Sequence, residues 1–112
     1  MKNFEIIIIA NTIAAIKAEN RKLPIKLSYT LNKNYEALLN AYKPYEASYM
    51  ELGIEDPDGD LTPEQRNALE QLKNLNVEVD MYKIGLEDIL QADLGINELD
   101  IIQRYMLEEE NG

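Results

Sequence analysis

The sequence predicts a mostly α-helical domain organised around an antiparallel, coiled-coil-like helical hairpin. Two apolar runs that step by four and three residues, and the turn-rich acidic segment between them, carry that prediction. The first run is Leu31, Tyr35, Leu38, Tyr42, Tyr45, Tyr49 and Leu52, and the second is Leu61, Gln65, Ala68, Leu72, Leu75, Val79 and Tyr82. At 112 residues the chain has the size of one domain, 1–112, able to bury a core without metal or disulfide support.

The N-terminal segment from Asn3 to about Asn20 is expected to be a helix, with Ile6, Ile9, Ile13 and Ile16 on one face and Asn3 as its cap. Four consecutive isoleucines also suit a buried strand, so Phe4 to Ile9 has an extended alternative. Glu19 to Pro24 is a polar connection. The first arm of the hairpin then runs from Leu27 to Leu52 and contains Pro44, which removes a helical hydrogen bond and predicts a kink near residues 40–43 in a single continuing helix.

Gly53 to Leu61 forms the acidic connection, after which Thr62 is expected to cap a helix with Pro63 in its first position and Gln65 reaching back to complete a capping box. This second arm is expected to break near Asn76, because Val77 to Met81 alternates apolar and polar side chains as a strand does. A short extended segment at 77–82 needs an edge to pair with, and Phe4 to Ile9 is the candidate. Short C-terminal helices follow: Leu86 to Ala92 after Gly85, then one capped by Asn97 with Leu99, Ile102, Tyr105 and Met106 turned inward. Glu108 to Gly112 is expected to fray.

Composition narrows the chemistry. The chain has no Cys and no His, so disulfides, thiolate or imidazole zinc sites and the Ser-His and Cys-His nucleophiles are excluded. No catalytic residue and no cofactor-binding residue is assigned, and the chain is expected not to be an enzyme. The apolar run Phe4 to Ile16 is shorter than the roughly 20 residues of a membrane span and is interrupted by Glu5, Asn11 and Thr12, so no membrane segment is expected, nor a signal peptide.

The net charge of −10 is uneven: residues 1–50 carry seven Lys/Arg against four Glu, and residues 51–112 carry four Lys/Arg against seventeen Asp/Glu. That balance argues against direct nucleic-acid and anionic-lipid binding and favours a basic partner or simple solubility. Asp56, Asp58 and Asp60 resemble the opening of a calcium loop, but Leu61 stands where glycine is wanted and Asn67 where the closing glutamate is, so the set is at most a weak divalent-cation candidate. A solvated acidic turn is the plainer reading.

Tyr35, Tyr42, Tyr45 and Tyr49 could stack bases, but their seam spacing turns them toward a partner helix, or toward a second copy in a homo-oligomer if the seam is incompletely covered. Carboxylate pairs such as Glu87-Asp88 are plentiful at this acidic content and receive no role.

Leu23-Pro24-Ile25-Lys26-Leu27-Ser28 before a long helix, the Asp58-Gly59-Asp60 turn, Val77-Glu78-Val79, Ile84-Gly85-Leu86-Glu87-Asp88-Ile89, and Ile96-Asn97-Glu98-Leu99-Asp100-Ile101-Ile102 occur in that order over most of the chain. In this the chain resembles a family of small phage and prophage proteins of Gram-positive bacteria, defined only as a domain of unknown function. Pro44 departs from that pattern. The resemblance carries no functional residues. It implies an accessory protein acting in the bacterial host cytoplasm or in the virion by binding a phage or host protein. An acidic half that imitates nucleic acid and occupies the basic groove of a host defence or DNA-processing enzyme is the alternative, and requires the carboxylates of Glu51–Asp60 and Glu78–Asp100 on one face.

Overall fold

The computed structural model of the protein describes residues 1–19 and 21–108. Five helices follow one another: α1 Asn3–Ala18, α2 Ile25–Glu51, α3 Pro63–Asn74, α4 Leu86–Leu90 and α5 Ile96–Met106. The described residues contain no strand, only two isolated bridges, Lys2 with Asn76 and Ile84 with Leu107. Of the frayed end expected over Glu108 to Gly112, residues 109–112 lie outside the described residues, and Glu108 is not loose, its amide donating to Ile84 O at 2.8 Å.

Helix α1 settles the isoleucine run. Ile6, Ile9, Ile13 and Ile16 are all fully buried, in the three-four-three spacing of a helix. Each contributes about 1.5–3 kcal/mol of transfer free energy, against a propensity cost below about 0.7 kcal/mol per isoleucine, so burial overrides the preference for extended backbone. The extended alternative for Phe4 to Ile9 is thereby overturned, and with it the pairing proposed for 77–82. Asn3 is not the cap either: Lys2 holds that position, its amide donating to Glu5 Oε1 at 2.9 Å, while Asn3 is buried inside the first turn.

Helix α2 runs unbroken through Pro44, one helix as the continuing seam required. Its seam is half right in depth. Leu31, Leu38 and Tyr45, seven residues apart, are buried, whereas Tyr35, Tyr42, Tyr49 and Leu52 are half-buried. The buried stripe also includes Leu27, Thr30 and Asn34. Leu27, Leu31 and Leu38 join the four isoleucines of α1 and Ile84, Ile89, Ile102 and Met106 in one cluster. The most extensive helix pairing is therefore α1 on α2, rather than α2 on α3.

Helix α3 doubles back from the end of α2, and its start is as the sequence predicts. Thr62 Oγ1 accepts from the Gln65 amide at 3.0 Å, Gln65 Oε1 accepts from the Thr62 amide at 3.0 Å, and Gln65 Nε2 donates to Leu52 O at 3.1 Å. Gly53, at φ 66°, makes the reversal that ends α2. No residue of α3 is fully buried, so Leu72, expected in the core, is only half-buried, and Leu75, Val79 and Tyr82 lie beyond the helix.

The chain from Leu75 to Gly85 is non-helical but forms no strand. It is fastened at two places: the Val77 amide donates to Met1 O at 2.6 Å, and the Ile84 amide to Met106 O at 2.8 Å, with the Glu108 amide returning to Ile84 O at 2.8 Å. Asn97 does not cap α5. Gly95 does, its amide donating to Glu98 Oε1 at 2.7 Å, two residues ahead of the expected cap. Ile102 and Met106 are buried as expected, with Leu99 and Tyr105 packed on the cluster from its edge.

Candidate functional site

A cleft of about 420 Å³ with largely apolar walls lies between the first turns of α2 and the chain at 82–85. Ile25, Tyr29 and Thr30 form one wall, Tyr82, Lys83, Ile84 and Gly85 the other, and Asp88 and Glu108 stand at the rim. One side chain ties its two walls directly together. Asn34, almost fully buried, accepts from the Tyr82 amide through Oδ1 at 2.6 Å and donates through Nδ2 to Tyr82 O at 3.0 Å. An amide bonded to both polar groups of one residue does what a neighbouring strand would do.

Tyr82, so placed, meets Tyr29 edge-on with ring centroids 5.6 Å apart and planes at 75°. Both rings remain about half exposed, and Ile25 beside them is 82% exposed. Thr30 donates its hydroxyl back to Lys26 O at 2.8 Å, so that polar group is already satisfied within α2. Lys26 and Lys83 supply positive charge and Asp88 and Glu108 negative charge to the same opening. The cleft thus offers aromatic and aliphatic area ringed by charges of both signs, a surface suited to gripping a side chain of another molecule.

A second, wider cleft of about 900 Å³ lies between Val77–Met81 and α5. There Tyr105 donates its hydroxyl to Glu5 Oε2 at 2.6 Å. That bond, with a smaller contribution from the Lys2 amide, holds the Glu5 carboxyl below the usual range, and the same bond followed by burial raises the Tyr105 phenol. Elsewhere Arg21 spans Glu19 and Glu98, its hydrogen bond pulling the Glu98 carboxyl down and its own guanidinium being held charged. These pairs tie the N-terminal half to α5.

Asp56, Asp58 and Asp60 are exposed. Asp56 Oδ1 accepts from the Asp58 amide at 3.1 Å, and the Gly59 amide donates to Asp56 O at 3.1 Å, so the carboxylate nearest to being a ligand closes the turn instead. Among the described residues no group of three or more acidic side chains converges as a metal site would require. The tyrosines Tyr42, Tyr45 and Tyr49 stack on one another along α2, at 5.2 Å and 6.3 Å, with burial raising the phenols of Tyr42 and Tyr45. Sequence reasoning did not find Tyr29, Asn34 or Ile25; a polar amide on the stripe between Leu31 and Leu38 was the signal for Asn34.

No helix among the described residues is long and apolar enough to cross a membrane. No protein-family model, curated protein or solved structure matches the chain.

Proposed function

We propose that this chain is a phage- or prophage-encoded accessory protein that acts by binding another protein, not by catalysis, in the cytoplasm of the bacterial host or in the virion. The observation that carries the binding reading is the open pair Tyr29 and Tyr82 with Ile25, three large apolar side chains grouped on the rim of a cleft and left to solvent. Scattered exposed apolar groups need no explanation, but aromatic and aliphatic ones clustered over a concavity with mixed charge have the makeup of a recognition surface. The phage assignment rests on the sequence resemblance.

The test immobilises the parental chain and an Ile25→Lys/Tyr29→Ala variant and passes lysate of phage-infected Gram-positive cells over each. A protein retained by the parent and lost by the variant supports the reading. Equal retention by both moves the site off the cleft, and turnover of a common hydrolase substrate with no partner retained removes the proposal.

A further inference from the structure

We infer that the outward face of α1 is a dimer interface, on which two copies of the chain pair antiparallel about a two-fold axis at Asn11. A surface helix normally carries charge on the side away from the core, and one that is apolar on all sides is normally buried on all sides. Helix α1 has its four core isoleucines on one side, yet its opposite side is Phe4, Ile8, Asn11, Ala15 and Ala18, all exposed and all uncharged. Their spacing of four, three, four and three places them on one straight stripe. Phe4 and Ile8 are 39% and 49% exposed and lie one turn apart on that stripe, so they form continuous apolar area rather than single exposed groups.

The stripe is bulky at one end and small at the other, with an amide in the middle. Antiparallel pairing centred on Asn11 sets each Phe4 over the other copy's Ala18, and each Ile8 over its Ala15, so large meets small along about 21 Å of helix. Asn11 then meets Asn11, and a carboxamide, being both donor and acceptor, satisfies its own copy across a two-fold axis. Parallel pairing would stack Phe4 on Phe4 and leave the alanine end gaping.

Charge points the same way. Lys2 holds its ammonium 5.9 Å from the Phe4 ring at one end of the stripe, and Glu19, bridged to Arg21 on one side but with its side chain 59% exposed, stands at the other. Antiparallel copies bring these opposite charges together, whereas parallel copies oppose like with like. A groove of about 160 Å³ lined by Ile7, Ala10, Tyr35 and Leu39 borders the stripe and extends the apolar face onto α2. This surface shares no residue with the Tyr29–Tyr82 cleft, and the inference stands independently of the proposed function.

The test is sedimentation equilibrium on the purified chain at about 0.1–1 mM, a range that detects a weak self-associating interface. The expected mass is twice the 12.9 kDa of one chain. Ile8→Lys and Ala15→Lys, both at exposed positions, should each leave the helical circular dichroism unchanged and raise the dissociation constant about a hundredfold or more. Because the chain lacks cysteine, register is read by oxidation. Asn11→Cys should cross-link to itself, Phe4→Cys should cross-link to Ala18→Cys but not to itself, as disulfide reach demands. A parent that stays monomeric through the range, lysine variants that dimerise like the parent, or Phe4→Cys that cross-links to itself would each overturn the inference.

Discussion

Replacing Asn34 with Ala should be among the most damaging single changes to this protein that touches no apolar core side chain. The substitution removes both partners of Tyr82, whose amide lies 2.6 Å from Oδ1 and whose carbonyl lies 3.0 Å from Nδ2. A net intramolecular hydrogen bond is worth about 1 kcal/mol, and a buried group left without a partner costs about 1–3 kcal/mol. Asn34 is 1% exposed, so water does not readily replace it, and the expected loss is about 2–4 kcal/mol. Asn34→Asp sharpens the test. It keeps the acceptor for the Tyr82 amide but, when ionised, turns an oxygen toward the Tyr82 carbonyl and buries a charge, so the folded state raises its pKa. With a raised folded pKa, the stability of this variant relative to the parent is fully present below the unfolded value of about 3.9 and is lost as pH rises through the folded one. Denaturant melts of parent, Asn34→Ala and Asn34→Asp between acid and neutral pH measure this directly. If Asn34→Ala melts within about 0.5 kcal/mol of the parent, or the aspartate variant shows no recovery in acid, the amide is not what holds the chain at 82–85.

Burial separates three substitutions in the hairpin. Leu38→Ala should cost about 2–5 kcal/mol and half-buried Leu72→Ala about 1–2, while exposed Asp58→Ala should stay within about 0.5, all read from denaturant midpoints. Glu5 and Glu98 both have lowered pKa values, so their stabilisation is present above the unfolded carboxyl value near 4.3 and is lost as pH falls through their folded values. Tyr105→Phe removes the leading cause of the Glu5 shift and should move its titration, followed by carboxyl-resolved NMR, back toward the ordinary range.

What could be read in advance was what neighbours in sequence decide. The Thr62, Pro63 and Gln65 start depends on residues within one turn, and so it was legible. The end of α3 before Asn76 and the single helix through Pro44 follow from local pattern in the same way. The caps at Asn3 and Asn97 failed because an asparagine signals only an available amide. Asn3 spends its amide on Leu72 O at 2.8 Å, across 69 residues, and the first turn is closed by Glu5 instead. The two-arm seam could not rank its partners: α1 offers four buried isoleucines against α2, and α3 offers no buried side chain, yet both have helical spacing. The cleft was illegible for the same reason, since Tyr29 and Tyr82 meet only because Asn34 reaches across 48 residues.

The amides of Asn3, Asn34 and Gln65 answer a problem this fold sets for itself. An extended stretch in a helical protein has no neighbouring strand, and its polar backbone groups would be costly to bury unpaired. Asn3 takes Leu72 O with its side chain while its own amide donates to Leu75 O at 3.2 Å, so the end of α3 and the start of the extended chain are held by one residue. Asn34 takes both groups of Tyr82, and Gln65 takes Leu52 O at the hairpin turn. Among the described residues no buried side-chain nitrogen or oxygen lacks a partner. Charged side chains at the buried Asn3 and Asn34 positions would have brought desolvation costs of several kcal/mol each, which two hydrogen bonds do not offset. A carboxamide meets a peptide group's donor and acceptor at once, which makes it the side chain best able to stand in for an absent strand.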